Sequence, residues 1–168
     1  MTEGERKYLA ELSLERAGKI IHIQPYDPKI AGVARRVMVQ ISNVLPDADV
    51  RFMGASALCI SGQNDIDVYV LSPAEYQAHS VSQLTSIFGA EQKRAKWNWL
   101  EDGFEVSVWV RDPNTLKIKE QLRIFELFST RPDILKEYEA LKCSCNGKTY
   151  FQYQVAKYDF YNRVLGIE

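Results

Sequence analysis

The run Asp65-Ile66-Asp67-Val68-Tyr69-Val70 leaves a chain few ways to fold. Side chains alternate across a strand, so Ile66, Val68 and Val70 share one face while Asp65, Asp67 and Tyr69 share the other. Burial of the apolar set puts two carboxylates side by side on the polar face, about 6.5 to 7 Å apart at their α-carbons. Alone they repel; a divalent cation between them turns that repulsion into a binding site. A single acid pair of this kind is weak evidence, because the solvated face of a strand is polar in any case.

Two neighbouring features sharpen it. Val50 to Met53 reads as a strand running into Gly54, about ten residues before the acids. A residue without a β-carbon lets backbone approach a phosphate, so the turn at Gly54 and Ala55 is a candidate cradle, with the hydroxyls of Ser56 and Ser61 as donors. Downstream, Lys96 to Leu100 and Phe104 to Val110 flank Glu101-Asp102-Gly103, and an Asp-Gly pair between two such runs signals a hairpin. Phe104, Val106, Val108 and Val110 form its buried face, which leaves Glu105, Ser107 and Trp109 opposite. If this strand lies beside that of Asp65, Glu105 joins Asp65 and Asp67 as a third carboxylate around one ion. Hard oxygen ligands with positions left for water and phosphate suit Mg²⁺, or Mn²⁺, and a nucleoside triphosphate. In that chemistry metal ions neutralise the triphosphate, and an acid near the attacking hydroxyl takes its proton.

The remaining chain reads as flanking helices. Residues 1 to 18 read as an N-terminal helical extension, with a polar helix over 3 to 18, and 19 to 168 as one domain. Asp27 caps a helix with Pro28 at its first position, carrying Ile30, Val33, Val37, Met38, Ile41 and Val44 on one face. Ser72-Pro73-Ala74-Glu75 is a capping box for a helix that buries Tyr76, Leu84, Ile87 and Phe88. Asp112-Pro113 caps another, and two more follow over 132–145 and 149–165, closed by glycines. The fold class is therefore α/β in the α+β sense: a small mixed sheet flanked by helices, with helices at the C-terminus.

Composition narrows the partners. A formal net charge of −1 supplies no general field for nucleic acid, which argues against it as the main partner. No stretch approaches the roughly 20 apolar residues of a membrane span, and the start has no apolar signal core, so the expectation is a cytoplasmic protein without a membrane partner. Cys59, Cys143 and Cys145 are too few for a disulfide framework. His22 and His79 lack a second histidine at ligand spacing and read as structural or surface residues. Trp97 and Trp99 alternate onto the core side, whereas Trp109 is the better stacking candidate; Lys96 and Asn98 share the parity of Glu105.

Together the glycine turn and the acids match hG[GS] followed by DhDh, and in this the chain resembles the DNA polymerase beta-like nucleotidyltransferase superfamily. Over a longer span, IQPYDPKIAGVARRV, FMGASALCISGQNDIDVYV, FELFSTRPDILKEYEALK and the lysine of QVAKYDFYNRVLG resemble the GrpB family. The resemblance covers residues 19 to 165 and implies a nucleotidyltransferase fold, with Lys157 as a triphosphate ligand. There are departures. Gly54-Ala55-Ser56 and Leu58-Cys59-Ile60 stand where the family commonly has glycine, serine, threonine and then valine-proline-glycine. Phe-Glu-Val-Ser-Val replaces a strand that often carries histidines, Glu105 supplying an acid there, and Phe125 replaces an arginine, with Arg123 nearby. The expectation is nucleotidyl transfer to an unknown hydroxyl acceptor; its rivals are a binding module without turnover and an interaction scaffold.

Overall fold

The computed structural model describes residues 1–167 and divides the chain into two compact units. The sheet unit comprises Tyr26–Ile60 and Asn64–Leu122; the helical unit comprises Met1–Pro25, Ser61–Gln63 and the chain from Arg123 onward.

In the sheet unit, α3 (Ile30–Val44) leads to β1 (Asp49–Met53), the short α4 (Gly54–Ala57), β2 (Ile66–Leu71), α5 (Gln77–Phe88) and the hairpin β3 (Lys96–Glu101) and β4 (Phe104–Arg111). The helices preceding these in the chain are α1 (Glu3–Ala10) and α2 (Leu14–Gly18), described with the helical unit. The strand order is β1-β2-β4-β3, with β2 and β4 parallel and the outer pairs antiparallel. A parallel pair needs a crossover, and α5 lies within the segment that supplies it. One face carries the core: Ile66, Val68, Val70, Val106, Val108 and Val110 lie under Ile30, Val33, Val37 and Ile41 of α3 and Leu84 of α5. Trp97 joins that core with no exposed surface, its indole N–H donating to the Gly89 carbonyl at 2.8 Å. Asp102 and Gly103 have φ of 51° and 84°, the left-handed pair that a tight hairpin needs. Arg36 reaches across from α3 to the carboxylates of Glu101 and Asp102 and ties the turn down.

The helical unit contains α1, α2, α7 (Pro132–Ser144) and α8 (Tyr150–Leu165); α6 (Leu116–Thr130) begins in the sheet unit and ends here. Phe128 stacks on Tyr138 at 4.6 Å between centroids, and Phe160 and Tyr161 complete an aromatic cluster. Thr149 and Gln152 form a capping box at the start of α8, which Gly166 closes in the left-handed region.

Local readings are corrected in four places. The expected helix over 3–18 is two helices, because Ser13 accepts from the Arg16 amide and opens a new one. Asp27 caps only a turn: its carboxylate accepts from the Lys29 N–H and α3 starts at Ile30. The stretch after Ser72 forms a 3₁₀ turn, Ala74–Tyr76, instead of a capping box, because the Ser72 hydroxyl is buried against that of Ser80 at 3.0 Å. Tyr76 is consequently exposed, at 61%. Asp112 likewise caps a turn, accepting from the Asn114 N–H, before α6 begins at Leu116.

Among the described residues no helix is long and apolar enough to cross a membrane. The core predicts that Ile66→Ala, at a position with no exposure, lowers the unfolding free energy by about 2–5 kcal/mol in urea titrations. Leu100→Ala, 74% exposed on the hairpin, changes it by no more than about 0.5 kcal/mol.

Candidate functional site

The register of β2 and β4 decides which polar groups meet. Asp67 pairs with Ser107, Tyr69 with Trp109 and Leu71 with Arg111. Across the hairpin Ser107 pairs with Asn98 and Trp109 with Lys96. Because parity is kept along each strand, Asp67, Tyr69, Glu105, Ser107, Trp109, Arg111, Lys96 and Asn98 all belong to the face opposite the apolar core. Asp65 immediately precedes β2.

Gly54 closes one end of this face. Its φ is +81°, and a β-carbon built there would sit 3.5 Å from Asp67 Oδ2. The carboxylate therefore lies against the glycine turn, as the alternation and the upstream strand implied. The next residues turn inward: Ala55 and Ser56 are 6% and 2% exposed. Ser56 lines a groove of about 530 Å³ together with Phe52 and with Ala34 and Met38 of α3. Phe52 pairs with Val68, so this groove is on the core-facing side of the sheet. Ser61 belongs to the helical unit, where its backbone N–H donates to Glu139 at 2.8 Å. Backbone and hydroxyl of Ser61 together hold the Glu139 carboxyl below its usual pKa.

Glu105 is exposed and accepts from the Asn98 amide at 3.4 Å; the same amide donates to Ser107 Oγ at 2.9 Å. Among the described residues no three His, Cys, Asp or Glu side chains gather as ligands of one metal ion. The expected convergence of Asp65, Asp67 and Glu105 on one ion is thus absent from the geometry, with Glu105 turned toward Asn98. What the geometry does bring together is the Asp67 carboxylate and a turn free of a β-carbon, with Asp65 just before the strand.

Three further polar residues of this face were not among the expected site residues. Ser107 stands opposite Asp67, Tyr69 donates to Gln121 at 3.2 Å, and Arg111 lies on Trp109. Arg111 was legible, since it continues the parity of Glu105, Ser107 and Trp109.

Lys157 sits in the helical unit, half-buried, with Nζ 5.4 Å from the Tyr161 centroid. Burial works against its charge, but the surrounding tyrosine oxygens outweigh it and hold its pKa above the ordinary lysine value. Lys142, 6% exposed, donates to the Tyr153 hydroxyl at 2.9 Å. Burial pushes the Tyr153 phenol up, and the two ammonium groups more than reverse that, leaving its pKa lowered.

No family model matches the chain, and no curated protein sequence does. Among solved structures, the conserved protein GrpB from Enterococcus faecalis superposes with a TM-score of 0.53 at 16% identity, over 86% of this chain and 92% of that one. The two chains share a fold. Two structures of the Cid1 poly(U) polymerase, one with MgGTP bound, align at TM-scores of 0.44 with 13% and 12% identity. This chain spans less than half the length of those polymerase chains, 45% and 44%.

Two measurements check the geometry. Gly54→Ala forces a side chain into the left-handed region and lowers stability by about 1–2 kcal/mol in chemical denaturation. Glu139, whose folded pKa is depressed, contributes stability that is present above its ordinary value of 4.5 and is lost as pH falls through the lower folded value. Replacing it with Gln therefore flattens the stability profile below about pH 4.5 and leaves the slope near neutrality unchanged, as thermal unfolding across pH should show.

Proposed function

We propose that this protein is a metal-dependent nucleotidyltransferase-like protein, moving a nucleoside monophosphate from a nucleoside triphosphate to a hydroxyl acceptor. The observation that carries this reading is Asp67 lying against the glycine turn at Gly54 and opposite Ser107 in the parallel register. A carboxylate beside a backbone that a phosphate can approach closely is what an Mg²⁺–triphosphate complex requires.

Asp65 and Asp67 would hold the Mg²⁺, or Mn²⁺, which would neutralise phosphate charge and favour departure of pyrophosphate. The amides at Gly54 and Ala55 would face the phosphates. Glu105, which accepts from Asn98, would take the proton from the acceptor hydroxyl as its oxygen attacks the α-phosphorus and the bond to pyrophosphate breaks. Lys157 enters as a phosphate ligand by the family resemblance. The GrpB fold and the acid-plus-glycine motif support the reading jointly.

One observation favours a second reading, a nucleotide-binding module without turnover. Ser56 is buried on the core-facing side, and Ser61 is committed to Glu139.

Calorimetric titration with Mg²⁺–ATP and Mg²⁺–GTP tests both. The wild type should bind at least one of them only with metal present, and Asp67→Asn should weaken that binding at least tenfold, about 1.4 kcal/mol. Equal affinity in the variant would sink the assignment. Release of pyrophosphate from an α-labelled triphosphate, supplied with alcohol acceptors, separates transfer from binding alone.

A further inference from the structure

Arg111 ends β4 on the polar face, its guanidinium folded over the neighbouring aromatic rings. Its Cζ lies 4.1 Å from the centroid of Trp109 and 5.8 Å from that of Tyr69. Lys96, the register partner of Trp109 on β3, brings Nζ to 4.0 Å from the same indole. One ring therefore serves two cations, an arrangement that uses the negative π-face to hold positive charges close together. It also engages the surface on which a base would otherwise stack.

The Nε of Arg111 is buried and has no hydrogen-bond partner. Among the described residues no carboxylate comes within ion-pair distance of this guanidinium. Burial lowers its pKa, and Tyr69 and then Asp67 act in the opposite direction. Asp67 is thus near enough for its charge to be felt, two residues along β2 from the Tyr69 ring that the guanidinium faces. A buried N–H without an acceptor is costly, and a planar guanidinium presents its donors in the fork that carboxylate and phosphate oxygens match. A neutral ligand would leave the charge uncompensated, and a cationic one would be repelled.

We propose that Arg111 and Lys96, both laid on Trp109, form an oxyanion subsite on the polar face of the sheet, which takes a phosphate or carboxylate group of the substrate. Its place matters to the chemistry. Two aspartates repel any anion brought to this face, and two cations further along it give the incoming molecule an anchor away from that repulsion. The subsite rests on the reading of this face as a substrate site, and it narrows the substrate to a molecule carrying an oxyanion two strand residues, about 7 Å, from the level of Asp67.

The test begins with inorganic phosphate titrated into metal-free, ¹⁵N-labelled protein, watching the indole N–H resonance that Trp109→Phe removes. The expected result is a saturable shift of that resonance, with affinity reduced at least tenfold in Arg111→Gln and at least threefold in Lys96→Gln. The amide spectrum reports whether each variant is folded, and the Lys96 change keeps the test alive if the other is not. Absence of a saturable shift, or equal phosphate affinity in the folded variants, would overturn the subsite. Mg²⁺–ATP titrated into Arg111→Gln then distinguishes the source of the anion. A parallel loss assigns the subsite to the nucleotide's own phosphates, and unchanged nucleotide affinity assigns it to the acceptor. Since the phosphate arm needs neither metal nor turnover, a wild type that responds to phosphate but binds no Mg²⁺–nucleotide would refute the transferase reading alone.

Discussion

Everything at the polar face depends on the parallel pairing of β2 with β4. That pairing buries Val68 and Val108 side by side on one face, and by doing so it presents Asp67, Ser107, Tyr69 and Trp109 on the other. A one-residue slip would reverse the faces and bring carboxylates under α3, so the cost of burying charge defends the register. The polar face is thus held in place by the hydrophobic one.

The face is chemically divided along the strand direction. Near the start of β2, acids meet a glycine turn whose positive φ no other residue adopts as readily, and the Asp67 oxygen lies against it. Toward the end of β4 the charge changes sign, with Lys96 and Arg111 on one indole. A cation held by the acids and an anion held over Trp109 would sit at separate levels of the face, two residues or about 7 Å apart along the strands. In the helical unit, Lys142 and Lys157 are surrounded by phenol groups, and the Tyr153 hydroxyl accepts from Lys142. That is a different solution to the same problem of keeping a positive charge out of water.

Much of this was legible in the residues. Period-two alternation identified the buried valines of both central strands, and the Asp-Gly pair located the hairpin turn to the residue. The glycine turn was placed against the acids by the same logic. Helix starts were read less well. Ser72 had a better partner in Ser80 than in the amide it was expected to cap, and Asp27 bound its neighbour's N–H without continuing into a helix. Capping side chains choose among several donors within reach, and only tertiary packing ranks them. Glu105 had the right parity, yet Asn98 across the hairpin holds it, and parity carries no information about a side chain's nearest donor.

By itself the sequence determined which face of each strand is apolar, where the chain must turn, and that carboxylates and a bare backbone would share one side. These follow from the covalent periodicity of the strand and from the unique freedom of glycine, which need no neighbours to operate. Tertiary structure alone decided that β4 lies parallel to β2, that Ser56 turns to the core side while Ser61 serves Glu139, and that Arg111 folds onto Trp109. Those outcomes depend on distances between residues far apart in the chain, and such distances are set by how the buried surfaces fit.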